Sequence, residues 1–240
     1  MDLGVAGRVA LVTASSKGLG LASAMALAQE GAKVVICARG EDALMAAEAQ
    51  LSAHTEVLAI PDDVTEPEAP ARLVQAALLR FGRLDIVVAN AGGPPAGRAL
   101  DVTDEQLAAA VNSNLLTSVR LVREAVPHMG NQGWGRICLI TSSSIKQPIP
   151  TLALSNAART GLWAWAKTAA ADLFDDGITL NLACPGLHNT ERMAAIPTLE
   201  GPRGDPADFG RVVAFMCSEP AKFMSGSTVL VDGARALGLV

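Results

Sequence analysis

Seven short segments of this 240-residue chain read as strands, most of them apolar on successive residues: RVALVTA, KVVICA, EVLAI, LDIVVANA, RICLIT, ITLNLA and STVLVDG. A strand with one wet face alternates apolar and polar residues. One that is apolar throughout must be covered on both faces, as the strands of a parallel sheet are. Helical patterns separate the segments. After Thr65-Glu66-Pro67-Glu68, Leu73, Val74, Ala77, Leu78 and Phe81 form one apolar helical face. Thr65–Glu68 and Thr103-Asp104-Glu105-Gln106 both have capping-box spacing, in which a threonine oxygen and a side chain three residues later satisfy free helix amides. Strands and helices alternating at this length predict an α/β fold with a doubly wound, mostly parallel sheet of about seven strands, helices on both faces and right-handed crossovers. Without repeats or linkers, residues 1–240 are expected to form a single domain.

Composition excludes several classes. With 19 basic residues, 24 acidic residues and 3% aromatics, the chain lacks the basic, aromatic-studded surface of a nucleic-acid binder. No uninterrupted apolar run reaches the eighteen or so residues of a membrane helix, and MDLGVAGRVALVTAS lacks the basic start of a signal peptide. Cys37, Cys138, Cys184 and Cys217 are far apart, without metal-ligand spacing, and are expected to be buried reduced thiols. A cytoplasmic protein with no metal site follows as the expectation. The stretch around Leu152 to Phe174 is apolar nearly all round, with Leu154, Leu162, Trp165, Ala169 and Leu173 on one face and Trp163 and alanines elsewhere. Such a helix is covered on two sides, by the sheet and by either this chain or a second subunit.

The first strand runs into TASSKGLG and then the helical LASAMALAQEG. Gly18 and Gly20 let the backbone turn tightly and approach a pyrophosphate at the positive end of the helix. Strand, turn and helix in that order, with a second strand about fifteen residues later, predict a dinucleotide site in a Rossmann-type domain.

With DV at Asp63-Val64, NAG at Asn90-Ala91-Gly92, VNSNLLTS around Asn114, CPG at Cys184-Pro185-Gly186 and VDGA near the end, the chain resembles the short-chain dehydrogenase/reductase family over nearly its whole length. It is most similar to the 3-oxoacyl-acyl-carrier-protein reductase branch. The resemblance implies cofactor contacts from Thr13, Ser15, Ser16, Lys17, Gly18, Leu19 and Gly20 in the first turn. It implies Asp63 and Val64 at the adenine, Asn90 to Gly92 along the cofactor's middle, and Pro185, Gly186 and Thr190 towards the nicotinamide. It also implies a homo-oligomer, dimer or tetramer. Ala14 replaces the family's first turn glycine, which a negative φ would tolerate. Between Thr190 and Asp205 the chain is shorter than the family often is. ERMAAIPTLEGPRG reads as loop, so a short substrate loop is expected at about 187–205.

The second strand ends Ile36-Cys37-Ala38-Arg39 without the acidic residue that usually holds an NAD ribose. Arg39 can take a 2′-phosphate, Lys17 adds charge, and Glu41 and Asp42 suit the start of the next helix. NADP(H) is therefore the expected cofactor.

The family's catalytic serine, tyrosine, lysine and asparagine fall on Ser142, Ser155, Arg159 and Asn114, and this chain contains no tyrosine. A serine hydroxyl is shorter than a phenol and far less acidic. An arginine cannot tune a proton donor, but its rigid fork can hold ribose hydroxyls, a phosphate, or a carboxylate. Arg159 is thus a candidate for both the catalytic and the cofactor-binding set. Lys146 and His188 are alternative donors or solvated loop residues, Arg192 and Arg203 are loop arginines that can meet an acidic substrate, and Ser143 and Ser144 are expected to cap the strand end. Three functions stay open: an NADP(H)-dependent reductase or dehydrogenase acting on a small carbonyl compound or acyl thioester, with a rebuilt proton-transfer site; a non-catalytic cofactor-binding protein; and a nicotinamide-free dehalogenase, whose family shares the arginine but keeps the tyrosine.

Overall fold

A computed structural model describes residues 1–194 and 201–238. Seven parallel strands, β1 (Val9–Thr13), β2 (Lys33–Ala38), β3 (Val57–Pro61), β4 (Ile86–Ala89), β5 (Gly135–Ile140), β6 (Ile178–Pro185) and β7 (Thr228–Val231), form one sheet in the order β3-β2-β1-β4-β5-β6-β7. Each expected strand segment supplies one. The helices are α1 (Gly18–Gln29), α2 (Glu41–Leu51), α3 (Ala69–Phe81), α4 (Asp104–Val111), α5 (Thr117–Gly130), α6 (Ala153–Leu173), α7 (Glu191–Ala194) and α8 (Pro206–Met216).

The apolar strand runs are explained by two cores. Val9 and Leu11 of β1 point into a layer with Leu73 and Val74 of α3, Leu121 and Met129 of α5 and Leu162 of α6. Ala10 and Val12, alternating with them, point to the other layer, with Leu27 of α1, Leu44 and Leu51 of α2, and Phe209 and Val213 of α8. Successive strand residues serve opposite faces, so every position of β1 is buried, whereas the edge strands β3 and β7 stay partly exposed. Fully burying one leucine contributes about 1.5–3 kcal/mol. Glu41 and Asp42 do occupy the first turn of α2.

One capping box forms and one does not. Thr103 accepts from the Gln106 amide, and the Gln106 side chain accepts from the Thr103 amide. At Thr65 the expectation fails. α3 begins only at Ala69, with Glu68 as its N-cap, and both the Thr65 amide and its hydroxyl donate to Asp63 Oδ1, at 3.0 and 2.8 Å. Pro67 and Pro70 suit a bend followed by a helix start, and the threonine closes an Asx turn instead.

The amino-terminal edge of the sheet is held by charge. Asp85 has no solvent exposure; it accepts from the Val9 amide at 2.9 Å and pairs with Arg83 and Arg8. Arg8 and the buried Arg136 lie on the Trp134 ring, 3.8 and 4.3 Å from its centroid, and Arg136 pairs with Glu219. Removing one partner from a buried ionic cluster leaves uncompensated charge. Asp85→Ala should therefore lower unfolding free energy by about 3 kcal/mol, read from the urea midpoint at unchanged slope.

Candidate active site

The functional positions collect at the carboxyl edge of the sheet, where open α/β folds bind ligands. Thr13 ends β1, Arg39 follows β2, Asp63 follows β3, Asn90 follows β4, Ser142 follows β5, and Pro185 ends β6.

The turn after β1 is held from beside it. Thr13 Oγ1 donates to the Asn90 carbonyl at 2.7 Å and accepts from the Asn90 amide at 2.9 Å, while Asn90 Nδ2 donates to the Ala14 carbonyl at 3.1 Å. Ser15, fully buried, donates to the Val12 carbonyl and accepts from the Cys37 amide. The side chains of Thr13, Ser15 and Asn90 thus build the turn and leave its backbone to face a ligand. Ala14 has a φ of +46°, so the substitution is not the mild one that a negative φ would make it. A left-handed alanine costs on the order of 1–2 kcal/mol, and the Asn90 bond to its carbonyl helps hold it there. Gly18, at φ +60°, opens α1. At Gly20 a Cβ would strike the Ala14 carbonyl and come within 2.8 Å of Asn90 Nδ2. This bare backbone at a helix start fits a diphosphate.

Asp63 Oδ2 lies 3.8 Å from Arg39 Nη1, and Arg39 remains 79% exposed at the rim. Burial would raise the Asp63 carboxyl, but the two Thr65 bonds and Arg39 outweigh it and hold the group below its usual range. Lys17 is less free than expected, because its Nζ pairs with Glu191 Oε2 at 2.5 Å.

Of the positions expected to be catalytic, Ser155 and Arg159 lie on α6, Asn114 on the turn packed against it and Ser142 after β5. Ser155 and Arg159 are 7% exposed, and Asn114 is 2% exposed. Asn114 lies in a π-helical turn, Asn112–Leu116, between α4 and α5, a form common at functional sites. α6 packs closely on this turn: a Cβ at Gly161 would come within 2.8 Å of Leu115 Cδ1. Asn114 Nδ2 donates to Ser113 Oγ, whereas its buried Oδ1 has no partner among the described residues. Ser142 Oγ accepts from the Ser144 amide at 3.1 Å. The cap after β5 therefore comes from Ser142 and not from Ser143 or Ser144, and the Ser144 hydroxyl is buried and unpaired among the described residues. Arg159 Nη1 donates to the carbonyls of Ile140 and Thr141, each at 3.0 Å, which clamps α6 to the tip of β5. Burial, the nearby Arg192 charge and a smaller opposing effect of Cys184 leave the Arg159 guanidinium lowered to about 10, still cationic at neutral pH.

Neither alternative donor is a solvated loop residue. His188 is 3% exposed, edge-on to Phe209 at 5.2 Å and closed over by Gly204. It is a packing residue between Gly204 and α8. Lys146 Nζ rests 4.0 Å above the Trp163 ring. Within the expected loop at 187–205, residues 191–194 are helical as α7, because Thr190 Oγ1 accepts from the Met193 amide. Residues 195–200 lie outside the described residues. Among the described residues Arg203 reaches only the Met193 carbonyl, at 3.5 Å. Sequence reasoning missed that Arg192 crosses the cleft: Nη2 donates to the Pro94 carbonyl at 2.7 Å, with the guanidinium against Gly93. Two adjacent small residues, Gly92-Gly93, were the available signal.

Residues 13–234 match the family described as Enoyl-(Acyl carrier protein) reductase. Versicolorin reductase 1 of Aspergillus parasiticus is 33% identical over 252 residues, covering 95% of each chain. The chain belongs to the short-chain dehydrogenase/reductase family. The human family member 4 dehydrogenase/reductase is 34% identical over 243 residues, 95% of this chain and 87% of that one. Among solved structures, L-sorbose reductase of Gluconobacter frateurii, complexed with NADPH and L-sorbose, superposes with a TM-score of 0.91 at 31% identity over 97% of this chain and 98% of that one. Ser155 and Arg159 stand at the positions where the resemblance expects the proton-transfer pair. Gly20→Ala should lose at least tenfold in dinucleotide affinity by tryptophan quenching while far-ultraviolet circular dichroism is unchanged.

Proposed function

We propose that this protein is an NADP(H)-dependent reductase or dehydrogenase acting on a small carbonyl compound or its secondary alcohol, with an atypical proton-transfer site. The observation that carries the proposal is the tight turn from Ala14 to Gly20, left-handed at Ala14 and Gly18 and with no room for a side chain at Gly20. The likeness to an NADPH-bound reductase supports the cofactor. Arg39, exposed at the tip of β2 without an acid beside it on the strand, suits a 2′-phosphate. Gly18, Leu19 and Ser16 would hold the diphosphate, Val64 and Asp63 the adenine end, and Ala91, Gly92, Gly186 and Thr190 the nicotinamide half.

When bound, reduced nicotinamide supplies a hydride. Ser142 and Ser155 orient the carbonyl by hydrogen bonding, and Asn114 offers a buried acceptor. The guanidinium of Arg159 places fixed positive charge beside the alkoxide that forms, and water supplies the proton. Losing a dedicated general acid typically costs about 10²–10⁴-fold, while orientation retains much of the acceleration. A slow reductase is therefore the expectation, with 3-oxoacyl thioesters among the substrates to be tried. Trp165 and Leu173 of α6 line a surface groove with Val122 and Val126 of α5, which fits a homo-oligomer contact.

NADPH should bind more tightly than NADH in a fluorescence titration, and Arg39→Asp should reverse the order; unchanged preference would remove Arg39 from the cofactor site. Glu191→Gln releases Lys17, so NADPH affinity should rise about two- to fivefold, the range of an exposed ion pair. The Ser155→Tyr/Arg159→Lys double variant should raise NADPH oxidation across a ketone panel. No response from any ketone would favour a binding protein without turnover.

A further inference from the structure

Ser142 and Ser155 are joined by a loop that is anchored near both ends. Beside Ser142 a 3₁₀ turn, Ser143–Ile145, is capped by Ser142 Oγ, which accepts from the Ser144 amide, and the Lys146 and Gln147 amides both donate to the Ser143 carbonyl, at 3.0 and 3.2 Å. Beside Ser155, Asn156 Nδ2 donates to the Ile149 carbonyl at 2.9 Å, and the Gly97 amide donates to the Thr151 carbonyl at 2.8 Å. Gln147 stands between these anchors. Its Oε1 accepts from the Leu237 amide at 2.7 Å, a donor ninety positions away.

Residues 232–237 follow β7 at the carboxyl edge of the sheet, and one side chain shapes them. Asp232 Oδ1 accepts from the Ala234 amide at 3.1 Å, and Oδ2 accepts from the Ala236 amide at 2.8 Å. Those bonds fold the segment through Gly233 and Ala234, both left-handed, at φ +63° and +62°. An alanine holds that conformation only at a cost, which the Asp232 bonds offset. The folded segment lies against three loops. A Cβ at Gly186 would come within 2.7 Å of Asp232 Cα, the Arg235 guanidinium lies against Gly201, and Leu237 meets Gln147. One short segment thus touches the Pro185-Gly186 turn, the far side of the expected substrate loop, and the loop between the two serines.

We propose that residues 232–237 are a clasp closed by the Gln147–Leu237 bond, and that the clasp limits the size of the carbonyl compound the site admits. The size limit rests on the reductase function proposed above; the clasp itself does not. Gln147 is a positioning residue, acting through the loop that carries Ser142 at one end and Ser155 at the other. Its bond is a single exposed one, so opening it lets the loop draw back from the segment without disturbing either core. A closed clasp suits a short carbonyl compound, and a longer one needs the Gln147 contact to yield.

The test removes the bond from each side in the full-length protein. Gln147→Leu keeps the bulk and loses the acceptor, Leu237→Pro loses the donor, and Gln147→Glu keeps an acceptor at the same reach. Amide hydrogen exchange read by mass spectrometry follows the clasp. Gln147→Leu should speed exchange in residues 232–238, and Leu237→Pro in residues 143–150, each by about two- to tenfold, the range of one net hydrogen bond. Turnover of butan-2-one and 4-phenylbutan-2-one with NADPH follows the size limit. The kcat/KM ratio of the longer to the shorter ketone should rise about two- to tenfold in either variant and no further in the double variant, because both remove one contact. Gln147→Glu should keep native exchange and a native ratio. Unchanged exchange in the partner segment overturns the clasp. Coupled exchange with an unchanged ratio, or an equal rise in Gln147→Glu, overturns its control of size. If neither ketone is turned over by any form, the reductase reading fails, while coupled exchange still supports the clasp and uncoupled exchange overturns it.

Discussion

Burying a parallel sheet on both faces is the constraint from which the rest follows. Every residue of β1 and β5 is buried, most of them in one of two cores. That leaves little room for polar chemistry on the faces, and the strand tips carry most of it. Within this molecule the tips are specialised by sequence position. β1 ends in a turn of bare backbone, β2 in an exposed cation, β4 in a small-residue run, and β5 in carbonyls that hold Arg159. The opposite edge carries charge of another kind: Asp85, Arg8, Trp134 and Arg136 are locked to one another. Among the described residues the first of these edges also keeps cations without an ion pair, Arg159 and Lys146, beside paired ones such as Lys17 and Arg39.

That imbalance explains how Ser155 and Arg159 can coexist with an otherwise preserved cleft. The family to which the chain belongs supplies the frame, and the frame does not depend on the proton donor. α6 is fixed by Leu162 in the core, by Leu154 and Ala158 against Ala110 of α4, and by the Arg159 bonds to β5. Replacing lysine by arginine at that position provides two carbonyl bonds and positive charge, with the remaining nitrogens left for a ligand. Chemistry based on charge needs a dry pocket, because water would screen it. The low exposure of Asn114, Ser155 and Arg159 meets that condition.

The fold was legible because apolar runs report two-sided burial directly, and all seven strands fall where those runs lie. The Gly18–Gly20 turn and the Thr103 box were legible for the same reason, since local geometry dictates the residue type. What sequence did not disclose are contacts between distant segments: Asn90 with Ala14, Lys17 with Glu191, Arg192 with Pro94. Each joins residues more than seventy positions apart, and no spacing rule encodes them. The Thr65 box failed because two prolines delayed the helix. His188 looked like a loop histidine because its cover, Phe209 and Gly204, comes from a segment some twenty residues on.

Ala14 carries a broader implication. A side chain kept in left-handed backbone has no intrinsic reason to stay there, so its neighbour across the sheet, Asn90, acts as an external tether. The loop's shape is then not its own property but a loan from the β4 tip. Motion or damage in either segment must propagate to the other, and the two should behave mechanically as one hinge-free block.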